Sequence, residues 1–169
     1  MKKFSLFTIV ILVVILATCL VGCVKGTPIE FTDEGISLLS AEDHGRGEDY
    51  AAAKLITNLE DLVVFLEDEG TKYEDTDIEK FTAEFFEERT LLIVSHSVVV
   101  DYEEFEIKKV AVDGNKITLQ LSRKIVDSVF AEFYAVHQTF LSVKKSDVEN
   151  VTSCSVVTST VTSNFSLWF

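Results

Sequence analysis

From residue 90 to the end of the chain the apolar side chains tend to repeat every second position, a period that suits strands and not helices. Ile117, Leu119 and Leu121 alternate with Thr118, Gln120 and Ser122, so this segment reads as a strand with one face buried and one face wet. Residues 91–100 form a β-branched, apolar run long enough for a buried strand. Phe105 and Ile107, then Val110 and Val112, mark another strand, with the alternation slipping at Lys108-Lys109 as a bulge requires. Asp113-Gly114-Asn115 reads as a hairpin turn in which glycine supplies the positive φ. Residues 125–131 read as a connection. Two further strands follow at 133–143 and 151–162, the last rich in Ser, Thr and Val.

Upstream of residue 90 the pattern is mixed. Residues 36–40 and 52–56 are short strand candidates on either side of a loop at 41–49 that has no apolar periodicity. Thr57 and Glu60 have the spacing of a capping box, and Leu59, Leu62, Val63 and Leu66 then share one helical face, with Gly70 ending the helix. A second helix is expected from a cap at Asp77 through Glu88, with Ile78, Phe81 and Phe85 on its buried face. The expected fold class is therefore α+β, with N-terminal helices packed on a mainly antiparallel sheet of about five strands, the helices acting as its lid.

The N-terminus carries an address. Lys2 and Lys3 precede an apolar run over residues 4–20, and the chain then reads Leu20-Val21-Gly22-Cys23. A basic start, an apolar segment and small residues before a cut site are the parts of a secretory signal. The four residues ending in Cys23 resemble the bacterial lipobox. That resemblance implies cleavage before Cys23 and its acylation with palmitate-type chains, two or three of which anchor stably to a bilayer. The expected organisation is a signal peptide at 1–22, a tether at 23–35 and a single α+β domain at 36–169. An uncleaved spanning helix is the competing reading, although Ser5, Thr8 and Thr18 interrupt a run already shorter than the 20 or so apolar residues a span wants. Either way the remainder of the chain would sit on the extracytoplasmic side of the cell membrane.

Charge and cysteine content narrow the function further. The net charge is −13; loss of Lys2 and Lys3 with the signal would leave 13 basic side chains against 28 acidic ones, a net −15. A surface this acidic is repelled by nucleic acid and by anionic head groups, so no nucleic-acid partner is expected. With Cys19 lost and Cys23 acylated, Cys154 would be the one thiol left and no intrachain disulfide could form. Stability must then come from the core.

No motif specifies a reaction. His44, His96 and His137 lack His-x-His or His-x-x-x-His spacing, so no metal and no cofactor is expected; two strand histidines meeting across a sheet, with Cys154 or an acid, would be the one route to a zinc site. Residues 75–79 imitate the start of an EF-hand loop, but Lys80 stands where glycine is needed and Phe86 where a bidentate Glu is needed. There is no Gly-x-Ser-x-Gly elbow. In Ser95-His96-Ser97 consecutive strand residues point to opposite faces, so His96 cannot activate either serine. Ser40 and His44 lie too close in a loop to be excluded on geometry, and Asn150 and Asn164 begin sequons that are meaningless in a bacterial envelope.

Three segments together resemble a known family. Leu55-Ile56-Thr57-Asn58-Leu59-Glu60-Asp61-Leu62, then Phe85-Phe86-Glu87-Glu88-Arg89-Thr90-Leu91-Leu92-Ile93-Val94, then a hairpin and the strand at 135–144 look like the PrcB-like C-terminal domain, over about residues 50–146. That resemblance implies an α+β fold and partnership with a protease complex. Taken together, the sequence predicts a membrane-anchored extracytoplasmic lipoprotein, held through Cys23, that acts as a non-enzymatic binding or accessory module with a protein partner in the envelope. The alternatives are a regulatory or structural subunit of an envelope protease complex, or an envelope hydrolase with a dispersed acid/base site. The aromatic tail at 164–169 is expected to pack back on the domain as the end of the last strand, with docking into a partner as its rival.

Overall fold

In the computed structural model, residues 24–40, 50–68, 77–99, 103–126 and 134–163 are described. The signal segment with Cys23, the loop at 41–49 with His44, the helix stop at Gly70, Asp75 and Thr76 of the EF-hand-like stretch, and the tail at 164–169 lie outside those residues. No helix among the described residues is long and apolar enough to cross a membrane.

The chain runs β1 (Thr27–Pro28), β2 (Phe31–Ser40), β3 (Ala51–Ile56), α1 (Leu59–Asp68), a 3-10 turn (Asp77–Lys80), α2 (Phe85–Glu88), β4 (Arg89–Val99), β5 (Glu103–Asp113), β6 (Lys116–Val126), β7 (Tyr134–Lys144), a second 3-10 turn (Lys145–Asp147) and β8 (Ser153–Ser163). The expectation of N-terminal helices on a sheet of about five strands is overturned. Eight strands form two four-stranded sheets, ordered β2-β7-β4-β3 and β1-β5-β6-β8, and only α1 is a helix of more than two turns among the described residues. Residues 27–28 and 31–35 of the stretch read as a tether belong to these sheets.

The reason for two sheets lies in β4 and β7. Leu91 and Ile93 point to one side of their sheet, with Phe140 of β7, and Leu92 and Val94 point to the other, with Leu141 and Val143. All seven are at most 1 % exposed, so both faces of this sheet need cover. On one side Leu62, Phe65 and Leu66 of α1 with Phe81 and Phe86 supply it. On the other, Val110, Ile117 and Leu119 of the second sheet do so. Three layers result.

The helix expected at 77–88 is two short pieces. Phe81 and Phe86 are both buried in the same cluster, yet five residues apart on one helix they would point about 140° from each other. Breaking the segment after Lys80 lets both rings enter the core, and the Thr82 hydroxyl meets the Phe85 N–H at 3.4 Å. Helix α1 is present, but its cap sits one residue later than the Thr57/Glu60 pair. Asn58 Oδ1 accepts from the Asp61 N–H at 2.8 Å, and Asn58 Nδ2 donates to Asp61 Oδ2 at 2.8 Å. Leu59 and Val63, expected on the buried face, are 40 % and 44 % exposed.

In the second sheet the β5–β6 register shifts between Ile107 and Lys109, where the alternation slips, and Gly114 makes the hairpin turn at φ 60°. Beyond β6 the pairing is parallel, with β8 alongside from Lys116↔Ser153 to Val126↔Ser163. At the opposite end of the sheet β1 covers only Ala111 and Val112 of β5. The other half of β5 has no neighbouring strand among the described residues, and β2, the facing edge of the other sheet, breaks register between Asp33 and Ser37 around Gly35 at φ 69°. The two sheets part there.

Candidate functional site

The parting leaves a cavity of about 460 Å³ lined from both sheets, including Phe31, Asp33 and Ser37 of β2, His96 of β4, Phe105 of β5 and His137 of β7. Alternation places the histidines. His96 continues the row Leu92–Val94 that faces the second sheet, and His137 continues the row of Val143, Leu141 and Thr139. The β4–β7 register sets His96 directly opposite His137, with ring centroids 5.1 Å apart. Phe105 lies over both, its ring 4.0 Å from His96 and 5.9 Å from His137.

The two imidazoles have different surroundings. His137 is half-buried; its Nε2 meets the Ser37 hydroxyl at 2.5 Å and its Nδ1 faces the Thr139 hydroxyl at 3.4 Å. Burial lowers its pKa from the usual 6.5. His96 is only 1 % exposed, and neither of its ring nitrogens has a hydrogen-bond partner. Its pKa is pushed down to about 3, first by burial and then by the neighbouring His137 and Arg123; the Ser97 backbone opposes this without reaching hydrogen-bond geometry. Both rings are therefore neutral near pH 7, each offering one donor and one acceptor nitrogen.

Cys154 is not part of this cluster. It sits half-buried near the start of β8, beside a separate cavity of about 360 Å³ that Lys54, Leu55 and Thr57 also line, and burial raises its pKa against a weaker opposing contact with the Leu55 backbone. Among the described residues no group of three His, Cys, Asp or Glu side chains could hold a metal ion. The zinc arrangement of two strand histidines with Cys154 is thus not assembled, although the histidines do meet.

A second polar cluster lies at the β2–β7 edge. The fully buried Ser142 hydroxyl donates to Glu34 Oε1 and accepts from Arg89 Nε at 2.8 Å, while Lys80 Nζ lies 3.0 Å from Glu34 Oε2. Burial alone would raise the Glu34 pKa, but the Ser142 and Lys80 hydrogen bonds and the charges of Lys80 and Arg89 hold it below the usual 4.5. These charge-assisted contacts tie β2, β4, β7 and the first 3-10 turn together.

Sequence reasoning missed Ser37 and Phe105. Ser37 is a hundred residues from His137 and carries no local signal; Phe105 is one aromatic in an alternating strand. The histidines were visible as strand residues, and the one signal for burial lay at His96, which follows Leu92 and Val94 on the same face. Comparison with family models, curated proteins and solved structures finds no match to this chain, so the resemblance to the PrcB-like domain rests on the three segments that carry it.

Proposed function

We propose that this protein is a lipid-anchored extracytoplasmic binding or accessory module that takes a small ligand, or a side chain of a partner, into the His96–His137 cleft. The observation that supports this reading is the pair of unpartnered nitrogens on His96, fully buried beside an open cavity. Leaving a buried donor and acceptor unmatched costs about 1–3 kcal/mol for each group. An apolar residue at this position would avoid that cost. A site retained at the expense of stability is characteristic of function. A ligand hydroxyl or amide that enters deep enough to meet the His96 ring would supply a partner that the protein itself does not, and Phe31 and Phe105 would cover its apolar part.

One contact favours a second reading, an envelope hydrolase. Ser37 Oγ and His137 Nε2 stand at nucleophile–base distance. Against catalysis, the group on Nδ1 is the Thr139 hydroxyl, which cannot stabilise an imidazolium as a carboxylate would.

Two measurements on the full chain test the proposal. Intact mass and detergent partitioning should show an acylated Cys23 in the wild type and lose both signatures in Cys23→Ala; unchanged processing of the variant would refute the anchor. A thermal-shift screen of polyols, amides and small amines should find compounds that stabilise the wild type and not His96→Leu. Absence of any such compound, together with ester hydrolysis that disappears in Ser37→Ala, would replace binding by the hydrolase reading.

A further inference from the structure

A strand at the edge of a sheet exposes a row of backbone N–H and C=O groups that any extended chain can pair with, and proteins blunt such edges with proline, charge, bulges or shortness. Three of the four edges here carry those devices. β1 is two residues long and includes Pro28. β2 carries Asp33, Glu34 and a break in register. β3 is six residues long, contains Lys54 and faces the start of β8, where the Cys154 thiol meets the Leu55 backbone.

β8 carries none of them. It runs for eleven residues with no proline, no glycine and no charged side chain, and it follows β6 at every position without a register shift. It is β-branched at Val156, Val157, Thr158, Thr160, Val161 and Thr162, the composition that favours pairing. Its outer edge has no neighbouring strand among the described residues. Val157 is 42 % exposed, and Thr158, Ser159 and Thr160 are also exposed.

We propose that β8 is a dimerisation edge, pairing antiparallel across a two-fold axis with β8 of a second copy, so that two four-stranded sheets become one of eight strands. Charge selects the occupant. In a chain of net charge −13, contact between two copies elsewhere tends to bring carboxylates together, whereas residues 153–163 are a neutral strip along which identical chains approach without that cost. The strip is also self-complementary. A two-fold axis through Thr158 sets Val156 opposite the second copy's near-isosteric Thr160, and Val157 opposite its small, uncharged Ser159, so no charge and no clash of two large side chains falls next to the axis. Two-fold symmetry at a strand edge requires the antiparallel arrangement. This inference needs neither the cleft nor the lipid anchor.

The test is self-association of the full chain in detergent. Sedimentation should give a discrete dimer, and Val157→Lys/Ser159→Lys should weaken it on the order of a hundredfold, because four lysines then crowd the axis, while the melting temperature measured at monomeric concentration stays unchanged. Thr158→Cys should form a disulfide-linked dimer under mild oxidation, since antiparallel partners stand about 4.5–5.5 Å apart at Cα, within disulfide reach. An exposed control, Glu60→Cys, should cross-link far less. A wild type that sediments as a monomer, a dimer that survives the double lysine variant, or open-ended oligomers that grow with concentration would each overturn the proposal.

Discussion

Acidification below about pH 6.5, down to about pH 4, is expected to reduce the stability of this protein by roughly 1.4 kcal/mol per pH unit from His96 alone. Above the ordinary imidazole pKa of 6.5 the ring is neutral in both the folded and unfolded chain and pH has no leverage. Below 6.5 the unfolded chain takes up a proton that the folded chain refuses until about pH 3, so stability falls throughout that window. The lowered pKa of His137 adds to the loss in its upper part, and that of Glu34 adds a further loss below about pH 4.5. His96→Leu should remove the largest share. It should also stabilise the ligand-free protein at pH 7 by about 1–2 kcal/mol, because it deletes two unmatched nitrogens while keeping an apolar body beneath Phe105. Urea titrations of both proteins across this pH range measure both effects. A wild-type profile as flat as that of the variant would mean that His96 finds a hydrogen-bond partner in solution.

Phe140→Ala is expected to cost about 3–5 kcal/mol, lowering the melting temperature by roughly 10 °C. The Phe140 ring is wholly buried and stacks on Phe81 at 6.3 Å with planes 9° apart, so it couples the central strand β7 to the segment that closes the first core. Truncation leaves a void that the rigid sheet beneath cannot fill. Leu59→Ala is the informative control. Leu59 belongs to the helical face expected from periodicity but is 40 % exposed, and its replacement should change stability by no more than about 0.5 kcal/mol. Thermal and urea denaturation of the two variants would expose any error: comparable losses would mean that α1 packs as its periodicity alone suggested.

Local pattern was informative wherever structure is local. The β5–β6 hairpin and its bulge follow from alternation and from one glycine, because their contacts lie within a few residues of the signals that specify them, and the two-sided burial of β4 is announced by its continuous apolar run although the residues that cover it are distant. The face of α1 was misjudged by a rotation that carries Phe65 into the core with Leu62 and Leu66 and turns Leu59 and Val63 outward, because the bulky ring of Phe65 and not the Leu59/Val63 flank meets the sheet. The partition into two sheets was illegible. β8 pairs with β6 across the intervening β7, which belongs to the other sheet, and nothing in an alternating strand says which partner it will take. The cleft shares that fate: the histidines are readable as strand residues, but their meeting depends on the β4–β7 register and the closing of the cleft on the return of β2.

The return of β2 also sets a place in the order of folding. Closing the β5–β6 hairpin joins residues a few positions apart, whereas seating Ser37 against His137 closes a loop of a hundred residues. Loop closure of that length carries a larger entropic cost, and contacts of such sequence separation are among the slowest to form. A nascent chain must hold Phe31 and Ser37 in waiting until β7 has been made and docked beside β4. The cleft is thus a late product of folding, and a chain halted before β7 has neither a partner strand for β2 nor a cleft.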